Sequence, residues 1–101
     1  MLKKYILILF VSLLFSCDVN NYEHIIKDVN FRLSIESGSF IELSEGYTYY
    51  EVDNRKSNNS LIFIHGFSVP SYIWDKTYYS ARDKGFKVVR LDLYGRGYSD
   101  N

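Results

Sequence analysis

The spacing of apolar positions changes several times along this chain, and each change marks an element. Residues 5–15 are apolar apart from Ser12. Residues 18–30 are mostly polar. Phe31, Leu33 and Ile35 then alternate with Arg32, Ser34 and Glu36, the period of two that predicts a strand. Ser37-Gly38-Ser39 breaks that pattern. Phe40, Ile41 and Leu43 predict a short strand, and residues 47–52, rich in Tyr with Thr48, predict another. The turn Ser44-Glu45-Gly46 between them makes an antiparallel hairpin. Residues 55–60 predict a loop. Leu61, Ile62, Phe63 and Ile64 are apolar at every position, as in a parallel strand covered on both faces.

After Pro70 and Ser71 the spacing becomes helical. Ile73, Trp74, Tyr78 and Ala81 fall on one face, and Asp75, Lys76, Arg82, Asp83 and Lys84 supply the polar side. Lys84-Gly85 closes this helix, with a cation near the negative end of the dipole and a glycine suited to the left-handed cap. Val88, Val89 and Leu91 predict a second buried strand. Strand, helix and strand in this order form a βαβ unit. The pattern therefore predicts an α/β fold: an antiparallel hairpin followed by βαβ.

With 101 residues the chain makes at most one small domain. Its 47% hydrophobic and 24% charged residues exclude a disordered chain. Twelve Lys and Arg balance twelve Asp and Glu, which leaves no basic footprint for nucleic acid. Cys17 is the single cysteine, so no intramolecular disulfide and no Cys-rich metal site can form. Neither a cofactor nor a metal is expected.

The N-terminus has the form of an export signal. Lys3-Lys4 is a basic head, and residues 5–15 are too short for an ordinary membrane span of about 20 residues. They fit the apolar region of a secretory signal, about 7–15 residues. Leu14-Phe15-Ser16-Cys17 resembles the bacterial lipobox, with Phe15 where that motif usually has a small residue. The resemblance implies that residues 1–16 are removed and that Cys17 carries the lipid. The protein would then be exported and anchored to a membrane of the bacterial envelope. The alternative is an incidental Cys17 in an uncleaved signal anchor. Residues 17–38 are expected to form a tether and pre-strand, with His24 solvated. Lys3 and Lys4 are two of the twelve cations, so residues 17–101 carry a small negative excess that does not steer toward anionic lipid.

Candidate chemistry lies in residues 61–101. Gly95-Arg96-Gly97 suggests a dinucleotide loop, but Asp100 stands where the third glycine belongs and no helix follows. Gly97-Tyr98-Ser99-Asp100-Asn101 suggests a nucleophile elbow. That motif needs a strand directly before it and a helix directly after it, and neither adjoins it here.

Two other motifs fit together better. His65-Gly66-Phe67 follows one apolar strand, and Asp92-Leu93-Tyr94-Gly95-Arg96-Gly97-Tyr98-Ser99-Asp100 follows the next. In this spacing, and preceded by the hairpin, they resemble the α/β-hydrolase fold family over residues 39–101. The resemblance implies the N-terminal part of a hydrolase that cleaves an ester, amide or similar bond of a small-molecule substrate. It makes the backbone N–H of Phe67 one oxyanion donor, with His65 and Gly66 shaping the turn. An N–H fixed at the carboxyl end of a buried parallel strand is well placed for that task. It also implies that His65 and Asp92 brace their loops. The nucleophile, the triad acid and the catalytic His of such enzymes come later in the chain, so no triad is expected within these residues. A truncated domain would expose the strand of residues 61–64 as a sheet edge. A small non-catalytic lipoprotein that binds a surface partner is the alternative reading.

Overall fold

The structure is a computed structural model that describes residues 25–101. The export signal, Cys17 and His24 lie outside the described residues. The first element among the described residues is a short helix, α1 (Val29–Ser34). A four-stranded mixed sheet follows, built from β1 (Ser39–Leu43), β2 (Gly46–Asp53), β3 (Ser60–Ile64) and β4 (Lys87–Leu91), in the order β1-β2-β4-β3. The connection from β3 to β4 carries a 3₁₀ turn (Ser71–Trp74) and the helix α2 (Asp75–Asp83).

β1 and β2 pair antiparallel with Leu43 opposite Gly46, so the hairpin turns on Ser44 and Glu45. β2 continues into an antiparallel pairing with β4, and β3 lies parallel to β4 from Ser60↔Lys87 to Ile64↔Leu91. α2 ends at Asp83 with Lys84 as its cap, and Gly85 follows at φ 88°, the left-handed region where a side chain would be strained.

One face of the sheet carries the core. Tyr78 and Ala81 of α2 pack on Val88, with Phe63 and Phe86 at the margin. Phe63 meets Trp74 and Tyr78 with ring centroids 5.4 and 6.1 Å apart. Arg90 is buried on this same face. It pairs with Glu51 of β2 and Asp75 of α2, and its guanidinium lies 4.5 Å from the centre of the Tyr78 ring. The charge therefore joins two strands and the start of the helix. Its two carboxylate partners offset the cost of taking a cation out of water.

Three local expectations differ from the structure. Residues 31–35 do not extend as a strand, because Phe31–Ser34 belong to α1. The Asp28 side chain caps that helix by accepting from Phe31 N–H at 2.9 Å, and the Asp28 carbonyl accepts from Arg32 N–H. The tether also gives way to packed chain at Lys27, whose buried ammonium donates to the Ser99 carbonyl. Ile73 leaves the helical core face and is 57% exposed, since the tighter 3₁₀ winding rotates it away from Tyr78 and Ala81.

Among the described residues β3 is covered on one face only. Phe63 points toward α2, while Ile62 is 65% exposed and Ile64 is also exposed. Side chains alternate along a strand, so the uniformly apolar run places two isoleucines on the uncovered face. Among the described residues β3 forms a sheet edge.

Candidate functional site

The candidate site is the meeting of two loops at the carboxyl ends of the parallel strands β3 and β4. The first contains His65, Gly66 and Phe67; the second runs from Asp92 to Asp100. β2 is longer than β4, and its first half runs beyond Leu91. The second loop fills that gap. Asp92 N–H donates to the Tyr49 carbonyl, Tyr49 N–H to Ser99 Oγ, Asp100 N–H to the Tyr47 carbonyl, and Tyr47 N–H to Asp100 Oδ2. Backbone and side-chain groups of the loop thus satisfy the β2 groups that lie beyond β4.

Ser99 is fully buried. Its hydroxyl donates to the Asp92 carbonyl and accepts from Tyr49 N–H. A hydroxyl engaged in this way has no approach to a substrate, which is the geometry of a loop brace. Asp92 is 2% exposed, and its two carboxylate oxygens accept from different loops. Oδ1 takes Ser71 N–H at 2.8 Å, where the 3₁₀ turn begins, and Oδ2 takes Tyr98 N–H at 2.9 Å. The carboxylate therefore locks the helix entry to the second loop.

His65 completes the junction. Leu93 N–H donates to Nε2 at 2.9 Å, so Nε2 must be the acceptor nitrogen. Nδ1 then carries the proton and donates to the Gly66 carbonyl at 2.6 Å. Both ring nitrogens are committed to backbone, and the ring is buried.

The second of these bonds orients the candidate donor. In a trans peptide the C=O and the N–H point in opposite directions. Holding the Gly66 carbonyl against His65 aims the Phe67 N–H of the same peptide to the other side. Among the described residues nothing accepts a hydrogen bond from that N–H. Phe67 itself is 86% exposed.

Gly66 contributes through its carbonyl and not through backbone freedom. Its φ lies outside the left-handed region, and a Cβ there would meet nothing within 4 Å. In the second loop it is Gly97 that packing requires: at φ 53° its Cβ would fall inside the Asp92 carboxylate.

The electrostatics of the sheet near the site are set by burial. Burial pushes the Tyr49 phenol up from 10 to about 12, against the lowering effect of its hydrogen bond with Ser37 and with help from the charges of Glu51 and Asp92. The Tyr78 phenol is also raised, first by burial and then by its hydrogen bond to Asp53. Among the described residues no three His, Cys, Asp or Glu side chains gather as metal ligands.

Sequence reasoning located His65, Gly66, Phe67 and Asp92, and the structure brings them together. It missed Arg96, which grips Phe67 across the two loops. Loop residues far apart in sequence carry no periodic signal of such a contact.

No protein-family model matches the chain. No curated protein matches it in sequence. Among solved structures, an esterase from Exiguobacterium antarcticum superposes with a TM-score of 0.56 at 23% identity, over 62% of this chain and 23% of the esterase. The likeness is one of fold: a small α/β unit with a mixed four-stranded sheet, similar to part of an α/β-hydrolase. The chain spans less than a quarter of that esterase's length.

Proposed function

We propose that residues 39–101 are the part of a hydrolase that holds the oxyanion. Phe67 N–H is one oxyanion donor, and the substrate is a small molecule with an ester, amide or similar bond. The observation that carries this reading is the pinned Gly66–Phe67 peptide. Its carbonyl is fixed by His65, and its N–H is left without a described acceptor. Negative charge that develops on a carbonyl oxygen during acyl transfer is stabilised by such a donor, because the donor needs no reorganisation. Losing one such donor costs about 2.7–4 kcal/mol of transition-state stabilisation. The reading assigns no nucleophile, acid or base to His65, Asp92 or Ser99, which brace the two loops. The esterase likeness supports this direction through the fold alone.

The test is the coding DNA beyond codon 101, read in all frames. A Gly-x-Ser-x-Gly elbow there, in a product that hydrolyses p-nitrophenyl acetate, supports the proposal. Absence of any elbow contradicts it.

The N-terminal reading belongs to the same proposal. Leu14-Phe15-Ser16-Cys17 supports lipid attachment at Cys17 after export, which would hold the domain at a membrane surface. No helix among the described residues is long and apolar enough to cross a membrane. Labelled palmitate separates the outcomes: label lost in Cys17→Ser supports attachment, and equal label in both proteins refutes it.

A further inference from the structure

We propose that Arg96 is a positioning residue for the Phe67 N–H, an inference that rests on the oxyanion reading above and deepens it. Two peptides flank the Phe67 Cα. His65 holds the first through the Gly66 carbonyl. Arg96 holds the second, because its Nε–H donates to the Phe67 carbonyl at 2.8 Å. Its guanidinium carbon also lies 4.8 Å from the centre of the Phe67 ring, within cation–π range.

With both flanking peptide planes held, φ and ψ of Phe67 have little freedom, and its N–H keeps one direction. The turn is otherwise poorly supported. The Phe67 side chain is mostly exposed, and nothing stands within 4 Å of a Cβ at Gly66. A catalytic donor loses much of its value if its direction wanders, since small misplacements at a reacting centre are costly.

Arg96 is itself anchored in the second loop. Its Nη1–H donates to the Gly95 carbonyl at 2.9 Å, and its backbone N–H donates to the Leu93 carbonyl at 3.0 Å. Leu93 N–H is the group that donates to His65 Nε2. One short turn, residues 93–96, therefore governs both peptides around Phe67. The role needs a planar fork: Nε–H bonds the carbonyl while the flat guanidinium covers the ring. Lysine supplies the charge without the fork.

The test uses the ¹⁵N-labelled full chain and methyl phenyl sulfoxide, a neutral hydrogen-bond acceptor that offers no net charge to Arg96. The wild-type Phe67 amide is expected to shift on titration, and the Arg96 Nε–H to exchange slowly. Arg96→Gln and Arg96→Lys are both expected to weaken the Phe67 response about tenfold, with the amides of Val88 and Leu91 unmoved. A wild-type response at Phe67 that persists unchanged in both variants, or is restored fully by lysine, overturns the positioning role. No response at Phe67 in the wild type, with Arg96 Nε–H still protected, overturns the oxyanion reading itself. Rapid exchange of Arg96 Nε–H in the wild type overturns the clamp without any variant.

Discussion

The carboxylate of Asp92 occupies the space that a side chain at residue 97 would need. Gly97 sits at φ 53°, and a Cβ there would overlap Asp92 Oδ2. The same oxygen accepts from Tyr98 N–H, and the other carboxylate oxygen holds Ser71 at the start of the 3₁₀ turn. Gly97 and Asp92 are thus two halves of one joint between the loops. Gly97→Ala should cost about 3 kcal/mol, combining left-handed strain with a displaced buried carboxylate. Gly66→Ala, in open space, should change stability by less than about 0.5 kcal/mol. Denaturant melts of the two variants, side by side, check the contrast.

Arg90 should be worth more than a surface ion pair. Its removal leaves the part-buried Glu51 carboxylate beside the core without its cation and frees Asp75 at the start of α2. Arg90→Ala is expected to destabilise by about 3–5 kcal/mol. Asp75→Asn, at a carboxylate that is itself about half exposed, should cost less. Thermal unfolding of both variants measures the order.

Stability should fall in alkali. The folded Tyr49 phenol ionises near 12 and the unfolded one near 10, so the unfolded chain loses its proton first as pH rises. The contribution is fully present below pH 10 and is lost between 10 and about 12. Tyr78, also raised, acts in the same direction. Phenolate absorbance followed together with circular dichroism checks this, with Tyr49→Phe moving the loss to higher pH.

The exposed isoleucines of β3 predict self-association. Ile62 and Ile64 lie on the face away from α2, and β3 is a sheet edge among the described residues. An apolar edge without charge pairs readily with other strands. Ile62→Lys should lower sedimenting aggregate while changing stability by less than about 0.5 kcal/mol, as expected for an exposed site.

Much of this fold was legible because local signals agreed with tertiary ones. The hairpin, the apolar β3, the Gly85 stop and β4 all combine a period with a suitable turn residue. α1 was not legible, since Phe31, Leu33 and Ile35 alternate like a strand. Its helix rests on the Asp28 cap and on packing: Phe31 lies 6.1 Å from Tyr98, and Arg32 stacks on Tyr47. Ile73 was misplaced because the helix begins with a 3₁₀ turn, which shifts the faces of the first residues. At the candidate site, the sequence identified the residues of each loop. The bonds between loops, His65 to Leu93 and Arg96 to Phe67, arise only when β3 and β4 lie side by side.

The central claim is that the Phe67 N–H is an oxyanion donor held by the surrounding loops. The most direct measurement replaces the Gly66–Phe67 amide by an ester, with phenyllactic acid in place of Phe67. This removes the N–H and leaves the side chain and the chain trace in place. Binding of methyl phenyl sulfoxide, followed by saturation transfer to the ligand, should be lost while the remaining amide spectrum is preserved. Binding that survives the substitution at full strength would contradict the account.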